Sequence, residues 1–149
     1  MLAWQPVTTS AQLETVRACR NDGRHTLFDK RWIGTEEQAA WWARAHAAGD
    51  QLFLVRETDA EEWAGFCLLA HRPDLTPTWP WITLVVSEQW RGRGIGTHIY
   101  RDAPVFAGAD VWAAMWRTNA ASIWAAIKAG YRRVGEMADG RVDLYRSGA

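Results

Sequence analysis

Residues 81–96 read WITLVVSEQWRGRGIG, an apolar run followed by glycines at alternate positions, Gly92, Gly94 and Gly96. WITLVV has the β-branched and aromatic make-up of a strand, and GTHIYRDAPVFAGA reads as a helix. Glycine is costly inside either element, so the segment between them is a sharp turn from strand to helix. At such a junction the first N–H groups of the helix point outward without intrahelical acceptors. The helix end adds partial positive charge, and Arg91 and Arg93 add full charges. Such a place suits a phosphate or pyrophosphate.

Three glycine patterns compete for this role. The P-loop needs Lys and then Ser or Thr after its last glycine, but Thr97 and His98 follow Gly96. The dinucleotide fingerprint G-x-G-x-x-G also fails, because its sixth position is Thr97 or Ile99. The pattern R/Q-x-x-G-x-G/A is matched by Arg91, Gly94 and Gly96.

The rest of the chain supplies the context. AWQPVT reads as a short strand, TSAQLETVRACRND as a helix capped by Ser10 or Thr9, and GRHTLFDKRWIG as a loop or broken helix. TEEQAAWWARAHAAG reads as a second helix capped by Thr35, and QLFLVRE and EEWAGFCLLAHR as two strands joined near Asp59. Pro104 is expected to kink or divide the helix after the glycines. DVWAAMW is a further strand, and NAASIWAAIKAG a helix with Asn119 as cap and Gly130 as stop. YRRVGEM and GRVDLYRS close the chain as a hairpin. The order β-α-α-β-β-β-α-β-α-β-β mixes antiparallel hairpins with one βαβ unit. It predicts a mixed α/β (α+β) sheet with helices on both faces, in a single domain over residues 1–149.

Seventeen basic residues balance seventeen acidic ones, which argues against nucleic acid or an anionic membrane as partner. Cys19 and Cys67 form no metal-spaced cluster, so no metal is expected. No basic-then-apolar leader opens the sequence and no long apolar run interrupts it, which points to the cytoplasm. Eleven tryptophans are unusual. Most read as core filling, but an indole also suits a pocket wall with a wet edge. Trp32, Trp41, Trp42, Trp79 and Trp81 fall where a substrate pocket is expected.

LVVSEQWRGRGIGTHIY resembles the acyl-CoA motif of the GNAT superfamily of N-acetyltransferases, and NAASIWAAIKAGY resembles its second signature, which ends in a Gly-aromatic pair, here Gly130 and Tyr131. The resemblance covers nearly the whole chain and implies a GNAT-like fold, with the central sheet splayed at the acyl-CoA site. It also implies an acyltransferase that moves an acetyl group from acetyl-CoA to a primary amine of a small molecule or protein, by direct attack. Homodimers are frequent in the family. Residues Arg91, Gly92, Arg93, Gly94, Ile95, Gly96 and Thr97 would hold the CoA pyrophosphate, Leu84, Val85 and Val86 the pantetheine arm, and Asn119 and Ser122 would lie beside that arm.

The reaction needs a path for the amine proton, donors for the thioester oxygen and a donor for the leaving sulfur. The family's usual tyrosine acid falls at Ala126, a departure that leaves an alternative open: a GNAT-fold module that binds acyl-CoA with little catalysis. The remaining tyrosines are Tyr100, Tyr131 and Tyr145, and Tyr131 holds the family's core aromatic position. Glu88 at the end of the motif strand and His71 after the preceding strand are the candidate bases, each also readable as a plain surface group. Glu88, His71 and Tyr131 form the candidate catalytic set. Asp74, His25 and Asp29 are weaker candidates near the acceptor side.

Overall fold

A computed structural model of the chain describes residues 1–148. Its elements are β1 (Leu2–Pro6), α1 (Ser10–Asp22), α2 (Thr35–Ala47), β2 (Gln51–Glu57), β3 (Gly65–Ala70) and β4 (Trp81–Val86). They continue with α3 (Ile95–Ala107), β5 (Trp112–Trp116), α4 (Ala120–Lys128), β6 (Arg132–Met137) and β7 (Val142–Arg146). This is the order expected from the sequence, in a mixed α/β fold. The strands form one seven-stranded sheet in the order β1-β2-β3-β4-β5-β7-β6. The β4–β5 pair is parallel and the other neighbours are antiparallel. No helix among the described residues is long and apolar enough to cross a membrane.

Side-chain alternation along the central strands builds two cores. Phe53, Val55, Cys67, Leu69 and Ile82 face a cluster that includes Ile95, Ile99, Tyr100 and Ala126 of α3 and α4. Leu52, Leu54, Phe66 and Val85 face the other side, against Val16 of α1 and Trp41 and Trp42 of α2. The helices therefore cover both faces of the sheet.

Caps set the helix starts. Thr9 caps α1 in a capping box with Gln12, and the Asn119 side chain accepts from the Ser122 N–H at the start of α4. At α2 the expected cap is corrected. Gly34 holds the cap position, and Thr35 is the first helical residue, its hydroxyl donating to Glu14 at 3.2 Å.

Pro104 neither ends nor divides α3, which runs to Ala107. Proline lacks the N–H that would reach the Tyr100 carbonyl four residues back. The buried hydroxyl of Tyr131 donates to that carbonyl instead, at 2.9 Å. A side chain from beyond α4 thus replaces the missing helix bond, in a site with no access to water.

The sheet opens between β4 and β5. Their ladder is confined to Trp81 and Trp112, where the Trp112 N–H donates to the Pro80 carbonyl at 3.0 Å. Beyond that pair β4 stays with β3 alone, as far as Val86 opposite Gly65. A Cβ at Gly65 would lie 2.1 Å from the Val85 carbonyl oxygen, so only glycine lets β4 lie this close to β3. The β5 side of β4 is left without a strand partner from Ile82 onward.

The helix repair has a measurable signature. Tyr131→Phe orphans a buried carbonyl and is expected to lower unfolding free energy by about 1–3 kcal/mol in urea titration. In a Pro104→Ala background the new N–H serves the same carbonyl, so Tyr131→Phe should cost much less there. Equal costs in the two backgrounds would contradict the pairing.

Candidate active site

The turn after β4 is wound by its own backbone. The Ser87 N–H donates to the Ala64 carbonyl at 2.8 Å, and a short helical turn, Glu88–Trp90, takes the Trp90 and Arg91 N–H groups. Gly92 and Gly94 then adopt φ of 76° and 81°, a left-handed conformation in which other residues are strained. Gly94 is also the cap residue of α3, and it has no side chain to offer the helix. Among the described residues, no N–H from Gly92 through Thr97 donates to a protein acceptor. These donors form an arc at a helix start, where the dipole adds positive potential. Arg91 bends back and donates from Nε to the Val86 carbonyl at 3.0 Å, tying the arc to the end of β4.

This arc lines a groove of about 350 Å³. Its floor is Leu84, Val85 and Val86 of β4, and its far wall is one face of α4 carrying Ala121, Trp124, Ala125 and Lys128. The Trp124 ring is exposed. Lys128 and Arg91 leave positive charge on both sides of the groove. A second cavity of about 240 Å³ continues through the split in the sheet, between Ile82 and Thr83 of β4, Ala114 and Met115 of β5, and the loop carrying Leu27, Phe28 and Asp29. The two spaces meet at Thr26, Leu84, Tyr100, Asn119 and Ser122, which line both.

The loop over the second cavity is held by ion pairs and carbonyl contacts. Arg20 donates to the Asp29 carbonyl at 2.9 Å and to the Arg31 carbonyl. Arg31 in turn grips the Asp29 carboxylate with Nε at 3.0 Å and Nη2 at 2.9 Å. These bonds hold the Asp29 carboxyl down to about 2, so it stays ionised and is a weak proton acceptor.

The expected site residues divide into two groups. Leu84, Val85, Val86, Arg91, Gly92, Gly94, Ile95, Gly96, Thr97, Asn119 and Ser122 are brought together around the groove. Arg93 contributes its backbone N–H to the arc, while its guanidinium lies 4.9 Å over the Trp90 ring. The Arg91 N–H leaves the expected set of free donors, because the Glu88 carbonyl takes it at 3.2 Å.

The three catalytic candidates lie outside both cavities. His71 sits at the opposite end of β3, its Nδ1 at 2.9 Å from Asp50 and its ring stacked on Trp79. Glu88 is exposed in the turn beside the arc, and it lines neither space. Tyr131 is fully buried with its hydroxyl committed to α3, and burial pushes its phenol well above the usual range. Asp74 pairs with Arg72, and His25 sits in the short turn after α1 without lining either space.

The tryptophans expected to wall the pocket are elsewhere. Trp41 and Trp42 pack under the sheet, Trp79 and Trp81 lie at the closed end of the split, and Trp32 lies on Arg17. Trp90 and Trp124 line the groove instead. Sequence reasoning also missed Thr26, Lys128 and the groove role of Tyr100. Spacing offered a signal for Lys128, because Ala121, Trp124, Ala125 and Lys128 share one helical stripe.

A strand-to-helix donor arc opening onto a split parallel pair forms a groove suited to an extended ligand that carries a phosphate or pyrophosphate. The sequence profile described as the Acetyltransferase (GNAT) family matches residues 17–131, and the chain belongs to that family. No curated protein sequence matches the chain. Solved structures share its fold at low identity. A GNAT superfamily phosphinothricin acetyltransferase from Sinorhizobium meliloti, in complex with AcCoA, superposes with a TM-score of 0.81 at 13% identity, covering 97% of this chain and 86% of that one. The spermidine N-acetyltransferase from Vibrio cholerae, in complex with CoA and spermine, gives 0.76 at 13% identity, covering 97% and 92%. The ribosomal-protein-alanine N-acetyltransferase from Brucella melitensis gives 0.74 at 17% identity, covering 99% and 98%.

Unpaired amides in the arc should exchange freely. In hydrogen exchange followed by mass spectrometry or NMR, Gly92–Thr97 are expected near the unprotected rate, and Ile99–Ala103 in the same helix strongly protected. Slow exchange at Gly92–Thr97 would mean that the arc is internally bonded.

Proposed function

We propose that the chain transfers an acetyl group from acetyl-CoA to a primary amine, of a small molecule or a protein, by direct attack on the thioester. The observation that carries this reading is the row of free N–H groups from Gly92 to Thr97, opening onto the split between β4 and β5. The pyrophosphate takes the arc, where donors and dipole favour a dianion. The pantetheine arm runs along the unpartnered side of Leu84–Val86 and satisfies backbone groups that β5 does not reach. Lys128 and Arg91 flank the phosphates. The thioester then lies where the two cavities meet, and the amine arrives through the second one, past Phe28 and Thr83.

The amine attacks as the neutral base. Asp29 is the one carboxylate lining either cavity among the described residues, and Arg31 holds it ionised. The proton of the new C–N centre therefore passes to water. Acetyl-CoA or CoA in the S. meliloti and V. cholerae structures supports the donor, and the amine-directed names of the V. cholerae and B. melitensis enzymes support the acceptor class. A second reading is a module that binds acyl-CoA with little transfer. It is favoured by Ala126, which is fully buried and carries no polar group.

Calorimetric titration with acetyl-CoA tests the shared step. Gly94→Val places a β-branched residue at a φ of 81° and is expected to weaken binding at least about tenfold. Absence of binding to the unaltered protein overturns both readings. Thiol release that depends on an added amine, across a panel of mono- and polyamines and N-terminal peptides, selects the transferase. Binding without such release selects the module.

A further inference from the structure

The junction of the two cavities holds a hydroxyl pair that the roles above do not use. Tyr100 reaches it from α3, and its phenol oxygen lies 2.6 Å from Ser122 Oγ on α4 and 3.4 Å from Met115 Sδ on β5. The Tyr100 side chain is 3% exposed, whereas Ser122 is half-buried and faces the groove. Among the described residues, Ser122 Oγ has no other partner. A phenol is the more acidic hydroxyl and a thioether sulfur is a weak acceptor, so the assigned arrangement has Tyr100 O–H donating to Ser122 Oγ rather than to Met115 Sδ. The serine proton is left free to point into the junction.

Other polar groups there are partly engaged already. The Thr26 hydroxyl donates to the Gly23 carbonyl at 2.9 Å. The Asn119 carboxamide oxygen accepts from the Ser122 N–H. Ala126 shares the core cluster of Tyr100 but offers no polar atom.

Resting on the acetyl-transfer reading, we infer that the Ser122 hydroxyl, oriented by Tyr100, donates a hydrogen bond to the CoA sulfur as the thioester C–S bond breaks. The amine lone pair forms the C–N bond while the carbonyl pair moves to oxygen. As the carbonyl reforms, C–S breaks with its electron pair on sulfur. Ser122 O–H stabilises that thiolate without surrendering its proton, and Tyr100 reinforces the donor by polarising it. The proton shed by the acylated nitrogen goes to water, and water later reprotonates the released thiolate. Ser122 is the catalytic residue and Tyr100 a positioning residue. Burial among the core side chains pushes the Tyr100 phenol up to about 12, so the pair stays protonated throughout the working range.

The test uses CoA itself, so it needs no knowledge of the acceptor. CoA is bound to the unaltered protein, Ser122→Ala and Tyr100→Phe. Calorimetry confirms occupancy, and the thiol is titrated by its thiolate absorbance. A donor at the sulfur stabilises the thiolate, so bound CoA is expected to ionise about one pH unit lower on the unaltered protein than on Ser122→Ala, with Tyr100→Phe between them. With an amine that the enzyme accepts, kcat should fall about 100-fold in Ser122→Ala and less in Tyr100→Phe. The Tyr100→Phe loss should be constant between about pH 6 and pH 10. The double variant should be no worse than Ser122→Ala, because the pair acts as a unit. CoA that binds all three proteins and ionises at the same pH overturns this inference alone. Absence of CoA binding to the unaltered protein overturns the acetyl-transfer reading itself.

Discussion

The structure depends on one interrupted strand pairing. β4 and β5 are parallel neighbours that meet only at Trp81 and Trp112. A pair of tryptophan rings 5.7 Å apart holds the closed end, and Gly65 draws β4 onto β3 at the open end. An interior sheet edge of this kind is costly, because backbone donors and acceptors need partners. The chain keeps the cost small by leaving the edge facing a groove rather than a packed core. The same gap that weakens the sheet gives an extended ligand something to pair with.

The rest of the site follows from where α3 and α4 sit over this gap. α3 starts at a cap that has no side chain and leaves its first amides free. Pro104 would weaken the same helix one turn beyond Tyr100, and Tyr131 repairs it with a hydroxyl. The rings of Tyr100 and Tyr131 meet edge to face at 5.1 Å, yet their hydroxyls serve opposite ends of the problem. One is spent inside the core to keep the helix whole, and the other reaches the groove through Ser122. Both rings are buried, and the partner of each hydroxyl, rather than residue type, separates the structural tyrosine from the one near the chemistry.

Much of this was legible in the sequence. The alternate glycines, the arginine three residues before Gly94 and the Asn119 cap report local backbone geometry, and local geometry is what spacing encodes. The element order and the placing of helices on both faces of the sheet were readable for the same reason. The parts that were not legible depend on distance through space. His71 and Glu88 looked suitable by residue type, but strand direction sends one to the far end of the sheet and the turn leaves the other in solvent. Trp41 and Trp42 fall by sequence in a segment expected beside the pocket, but the packing of α2 turns them under the sheet. Tyr100 carried no signal of its own, since its partner lies on another helix. Pro104 does not break α3 because its compensation comes from Tyr131, well outside any local window.

A crystal structure of the chain grown with CoA tests the central claim most directly. The account expects pyrophosphate oxygens within about 3.2 Å of several amides between Gly92 and Thr97. It also expects the pantetheine arm on the open side of β4 and the sulfur beside Ser122. A pyrophosphate bound away from that arc, or an arm that does not enter the gap between β4 and β5, would contradict it.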